Sequence, residues 1–92
     1  MTVADEFDAV LFRWDGPAGW TFVRVPDENA PDFAGAFGRV PVTATVDGTT
    51  WATSIWRDKA HGWLLAVPKK VRRGKDDEDV VRVSVELDPS RM

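Results

Sequence analysis

From Glu6 to Trp14 apolar side chains occupy both parities of an extended chain: Phe7, Ala9 and Leu11 on one face, Val10, Phe12 and Trp14 on the other. A strand that is apolar on both faces fits a barrel or sandwich better than a solvated sheet. Trp20 to Val25 has the same character. Between the two lies Asp15-Gly16-Pro17-Ala18-Gly19, whose glycines allow positive φ and whose proline fixes a corner, so a hairpin is predicted. Val40 to Val46 alternates, with Val40, Val42, Ala44 and Val46 facing one way and Thr43 and Thr45 the other. Asp47-Gly48 follows, a pair suited to the two positive φ values of a type I′ turn. Thr49 to Trp56 is the return strand, with Trp51, Thr53 and Ile55 on one face and Ala52, Ser54 and Trp56 on the other. Arg57 to Gly62 reads as a polar loop. Trp63 to Val67 is the fifth strand; Pro68 ends it and can open a single helical turn. A charged turn, Lys75 to Asp79, leads to the last strand, in which Val81, Val83, Val85 and Leu87 share a face.

The period changes once. Asp27 to Phe37 reads as a short helix, with Asn29 as N-cap, Pro31 in the first turn, and Phe33 and Phe37 one turn apart on a common face. Gly38 can take the left-handed position that ends it. Six strands with short turns, one short helix and one helical turn predict a mainly β protein, a small six-stranded β-barrel plugged at one end by the helix. Residues 1–92 form a single domain in this reading, with loose termini at 1–5 and 89–92.

Composition narrows the functional classes. Ninety-two residues support one thin core. No apolar run approaches the ~20 residues of a membrane span. Met1 to Glu6 lacks the basic start and apolar core of a secretory signal, so a cytoplasmic setting is expected and no membrane partner. Cysteine is absent, which excludes a disulfide frame, a thiolate zinc site and a cysteine nucleophile. The net charge of −3 argues against bulk nucleic-acid binding. Tryptophan stands out: five residues, with no tyrosine. An indole is large and carries one N–H donor, which suits the wall of a groove or interface.

The ordered set Gly19-Trp20-Thr21-Phe22-Val23-Arg24-Val25-Pro26, Gly38-Arg39-Val40-Pro41-Val42, Val46-Asp47-Gly48 and Val67-Pro68-Lys69-Lys70-Val71-Arg72-Arg73 resembles the bacterial and archaeal domain of unknown function 1905, over about Phe7 to Asp88. The resemblance implies a small barrel of the double-split-barrel kind. It implies no established activity and brings no catalytic or binding residues with it. Within the closing segment, Val67 to Arg73 followed by a turn and Val80-Val81-Arg82-Val83 is similar to the core of AbrB-type transition-state regulators, which pair two chains into one barrel and bind DNA. Their pattern has Gly-Asp in the turn before the last strand; here that place reads Glu78-Asp79.

Three groups of residues carry candidate chemistry. Trp20, Trp56 and Trp63 flank turns and are the candidate ligand-binding residues, able to stack on a planar ligand; the simpler reading makes most tryptophans barrel core. Lys69, Lys70, Arg72 and Arg73, with Lys75 following, form the one dense positive cluster and the candidate nucleic-acid contact. Its simpler reading is a solvated turn, offset by Asp76, Asp77, Glu78 and Asp79. His61, the only histidine, would need Ser54 as nucleophile and Asp58 as orienter to work as a general base, and no nucleophile-elbow motif surrounds them. Too few ligands accompany it for a metal. The sequence therefore points to a non-enzymatic barrel module, without cofactor or metal, that binds a small molecule or a protein at a tryptophan-lined cleft. A nucleic-acid-binding regulator is the alternative, and the chain is expected to act as a monomer or homodimer.

Overall fold

A computed structural model describes residues 6–13, 20–30, 38–88 and 90. Its strands are β1 (Phe7–Val10), β2 (Phe12–Arg13), β3 (Thr21–Val25), β4 (Arg39–Val46), β5 (Thr49–Asp58), β6 (Gly62–Ala66) and β7 (Val80–Leu87), with one helical turn, α1 (Lys69–Arg72), before β7. They form one antiparallel sheet in the order β1-β7-β4-β5-β6-β3-β2. The outermost strands of that order are consecutive pieces of one segment. The sheet therefore curls until both margins meet in residues 7–13, giving a nearly closed barrel.

The expected six strands are seven among the described residues because the first is broken at Leu11. Leu11 is fully buried, and its backbone leaves the ladder for the turn before β7. Its N–H donates to the Asp79 carbonyl and its carbonyl accepts from the Glu78 N–H, both at 2.8 Å. The Arg13 N–H donates to the Asp77 carboxylate at 2.9 Å, and the Arg13 guanidinium reaches both Asp76 oxygens at 3.0 and 3.1 Å. Asp79 in turn accepts the Asp76 N–H at 2.8 Å. The acidic run, itself exposed, is thus a clamp on the strand break and satisfies the backbone groups that Leu11 and Arg13 take out of the ladder. Glu78 holds φ at 73°, a left-handed value that glycine adopts without strain.

The β4–β5 hairpin follows the alternation. Val40, Val42, Ala44 and Val46 are all sealed from solvent, and Asp47 and Gly48 have φ of 47° and 86°, the paired positive values of a type I′ turn. Ile55, Leu65, Val23 and Val83 complete the interior, and Val71 of α1 closes it from one side. Burying each such side chain is worth roughly 1.5–3 kcal/mol. Asp47 does more than turn the chain. Its carboxylate accepts the Arg82 N–H at 2.9 Å and pairs with Lys75 Nζ at 2.8 Å, fastening the hairpin to β7.

Two expectations need correction. Asn29 is not an N-cap: Asp27–Asn29 is a single 3-10 turn capped by Pro26, and Ala30 is already extended at φ −77°, ψ 138°. The cause is local, because a residue preceding proline is pushed out of the helical region, and Pro31 follows Ala30. The rest of the expected helix, including Phe33 and Phe37, lies outside the described residues. So do Trp14, the expected turn at 15–19 and nearly all of the expected loose termini. Second, β5 extends through Arg57 and Asp58, which pair with Trp63 and Gly62 instead of lying in a loop. Asp58 makes this possible by accepting the Ala60 and His61 N–H groups at 2.9 Å, which tightens the turn. Among the described residues, no helix is long and apolar enough to cross a membrane.

Candidate functional site

Strands β2, β3, β6 and β5 are neighbours, and their outward positions are fixed by which residues point in. Val23, Val25, Leu65 and Ile55 face the interior, so Phe22, Arg24, Leu64 and Trp56 face out. Register then places them in rows. Arg39, Trp56, Leu64 and Arg24 lie side by side across β4, β5, β6 and β3, and Phe12, Phe22 and Ala66 across β2, β3 and β6. Phe22 is only 5 % exposed and Leu64 2 %, although neither belongs to the barrel core. A second apolar layer on the outer face of the barrel accounts for this.

Trp20, just before β3, roofs that layer. Its ring centroid lies 6.0 Å from Trp56 and 6.1 Å from Phe22, and Trp56 meets Phe22 edge-on at 6.1 Å. Phe12 lies 6.0 Å from Phe22 and stacks on His61 at 5.8 Å. Arg24 stands over Phe12 at 5.8 Å and Arg39 over Trp56 at 5.7 Å, in cation–π geometry. Even so, Trp20 remains 48 % exposed and Trp56 37 %.

Beside this layer opens a cleft of about 300 Å³, lined by Trp20, Thr21, Ala66, Val67, Pro68, Lys69 and Arg72. The chain builds it simply. Ala66 is a small outward residue next to Phe22, Pro68 turns the strand into α1, and α1 swings Lys69 and Arg72 back towards β3. Arg72 is largely buried. Its Nη1 donates to the Thr21 hydroxyl at 2.7 Å, while its Nε is buried without a hydrogen-bond partner. Its nearest carboxylate, Asp76 at 3.4 Å, is shared with Arg13 at 3.0 Å. The Asp76 carboxyl is held below the ordinary carboxylate range, first by the Asp77 N–H and then by Arg13 and Arg72.

The structure brings together Trp20 and Trp56 of the three candidate tryptophans. Trp63 points to the other side of the sheet, packs against the core and is covered by Arg57 at 5.9 Å. The basic cluster is divided. Lys69 and Arg72 line the cleft, whereas Lys70 and Arg73 are exposed, with Arg73 at φ 51° ending α1. His61 Nδ1 lies 2.8 Å from Asp58 Oδ2, and that contact is the first cause of a lowered Asp58 pKa. Ser54 lies four positions up β5 on the same face, with Trp56 between them. At ~3.3 Å per residue that is about 13 Å, too far for the trio to act together. Among the described residues, no group of three or more His, Cys, Asp or Glu side chains is placed to hold a metal. Reading the sequence missed Thr21, Phe22, Pro68 and the two flanking arginines. The i, i+2 spacing of Val23 and Val25 is the signal, since it turns Phe22 and Arg24 to the opposite face.

No curated protein matches the chain in sequence. The family model described as Domain of unknown function (DUF1905) matches residues 7–87, which takes in every strand from β1 to β7, the strand break and its acidic clamp, and the chain belongs to that family.

Proposed function

We propose that the chain is a cytoplasmic, non-enzymatic binding module that takes a small molecule in the Trp20–Arg72 cleft. One observation carries the reading. Trp20 is a large indole left half-exposed, packed by Trp56 and Phe22 on the outer layer and forming a wall of the cleft. A rigid aromatic wall beside convergent polar groups is how small-ligand sites are commonly made, and about 300 Å³ is at the small end of their range. The separation of Ser54 from the His61–Asp58 pair favours binding over bond-making.

Intrinsic fluorescence with a compound library tests the reading. A ligand should change the tryptophan signal of the native chain, and Trp20→Phe should remove most of that change. A signal that survives in Trp20→Phe, or no change with any compound, would refute the assignment. The alternative, a nucleic-acid contact, draws on the exposure of Lys69, Lys70 and Arg73 beside Arg72. It requires a salt-dependent gel shift lost in Lys69→Ala/Arg73→Ala. Because Arg72 is largely buried and tied to Thr21, only part of the cluster is available for such a contact.

A further inference from the structure

We infer that the cleft selects a planar organic anion, an aromatic ring bearing a carboxylate or phosphate; this rests on the reading that the Trp20 cleft is a ligand site. The charge balance of the walls points to it. The lining contains two cations, Lys69 and Arg72, and among the described residues no carboxylate. Arg72 is partly compensated by Asp76, which it shares with Arg13. Lys69 forms no ion pair among the described residues. Holding a guanidinium largely out of water with incomplete pairing is costly unless an anion completes its environment. Its Nε is already without a partner.

The remaining walls specify shape. Trp20 offers a flat face and Pro68 a rigid apolar edge. Ala66, the smallest outward residue on β6 that carries a Cβ, leaves the floor open between them. Thr21, 4 % exposed and hydrogen-bonded to Arg72, fixes the guanidinium so that it arrives preorganised. A ring against Trp20 would carry its anionic group towards Lys69 and Arg72. The volume suits a single ring system with a short acidic arm and excludes a polymer lying wholly within it.

Calorimetric titration of the intact chain with matched pairs tests this: naphthoate against naphthamide, and naphthyl phosphate against naphthol, with inorganic phosphate alone. Mapping by the indole N–H signal of Trp20 locates the binding. The anion of at least one pair should bind about tenfold or more tightly than its neutral partner, as expected for a charge-assisted contact. The preferred pair tells carboxylate from phosphate. Lys69→Glu, at an exposed position that should leave folding intact, should abolish the preference for the anion over its neutral partner. Equal binding of acid and neutral partner at Trp20 would overturn the anion assignment while keeping the cleft. Phosphate alone binding as tightly as the ring acids would overturn the planar requirement. No binding by any probe, with the Trp20 signal unmoved, would remove both inferences.

Discussion

The inner and outer faces of β3, β5 and β6 are made by the same strands and meet different fates. On the inner face Val23, Ile55 and Leu65 are sealed because the sheet closes around them. On the outer face Phe22 and Leu64 are sealed almost as well, and among the described residues the rings of Trp20, Trp56 and Phe12 pack against Phe22 there. The inner layer is held by topology and cannot open without unfolding. Among the described residues the outer layer is held by side-chain contacts, and a change in these need not break the strand ladder. An apolar layer of the second kind can serve recognition, since binding there does not compete with the fold.

The sharpest way to break this comparison is to empty both layers. Ile55→Ala, inside, should cost about 2–5 kcal/mol of stability. Trp56→Ala, outside and 37 % exposed, should cost about 1–2 kcal/mol despite removing more atoms. Urea denaturation of the two variants decides the matter, and equal losses would mean that the outer layer is a second core. A smaller effect comes from the hairpin's link to β7. The Asp47 carboxyl is held below the ordinary range, first by the Arg82 N–H and then by Lys75. A group more acidic when folded contributes stability that is present at neutral pH and lost as pH falls below about 4, the unfolded value. Asp47→Asn should therefore lower stability at about pH 7 and by progressively less as pH falls below about 4, shrinking the acid-induced loss without abolishing it, because Asp58 and Asp76 shift in the same direction. The smallest expected change is a gain. Glu78→Gly should relieve the left-handed backbone and stabilise the chain by about 0.5–1 kcal/mol. A loss, measured by thermal unfolding, would mean that the Glu78 side chain contributes to the clamp.

The contrast also explains what could be read in advance. The β4–β5 hairpin was legible from Val40 to Ile55 because alternation and an Asp-Gly pair are local signals, and local signals sufficed to build it. The break at Leu11 was not. Ala9, Val10, Leu11 and Phe12 are continuously apolar, with no glycine or proline, and the groups that bend the chain sit at Asp77, Glu78 and Asp79, far along the sequence. The cleft was half legible. Trp20 and the Lys69–Arg73 cluster both stood out, but as rival sites. That Trp20, Lys69 and Arg72 border one cleft depends on the β3–β6 pairing, which composition does not encode. Trp63 resembled Trp56 in its setting; only the hairpin register puts them on opposite faces.

One segment supplying both margins has a further consequence. Peeling residues 7–13 from a barrel would bare two strand flanks together, one along β7 and one along β3, each with unpaired backbone donors and acceptors. The acidic run at Asp76, Asp77 and Asp79, which grips this ribbon at its break, therefore guards both flanks at once.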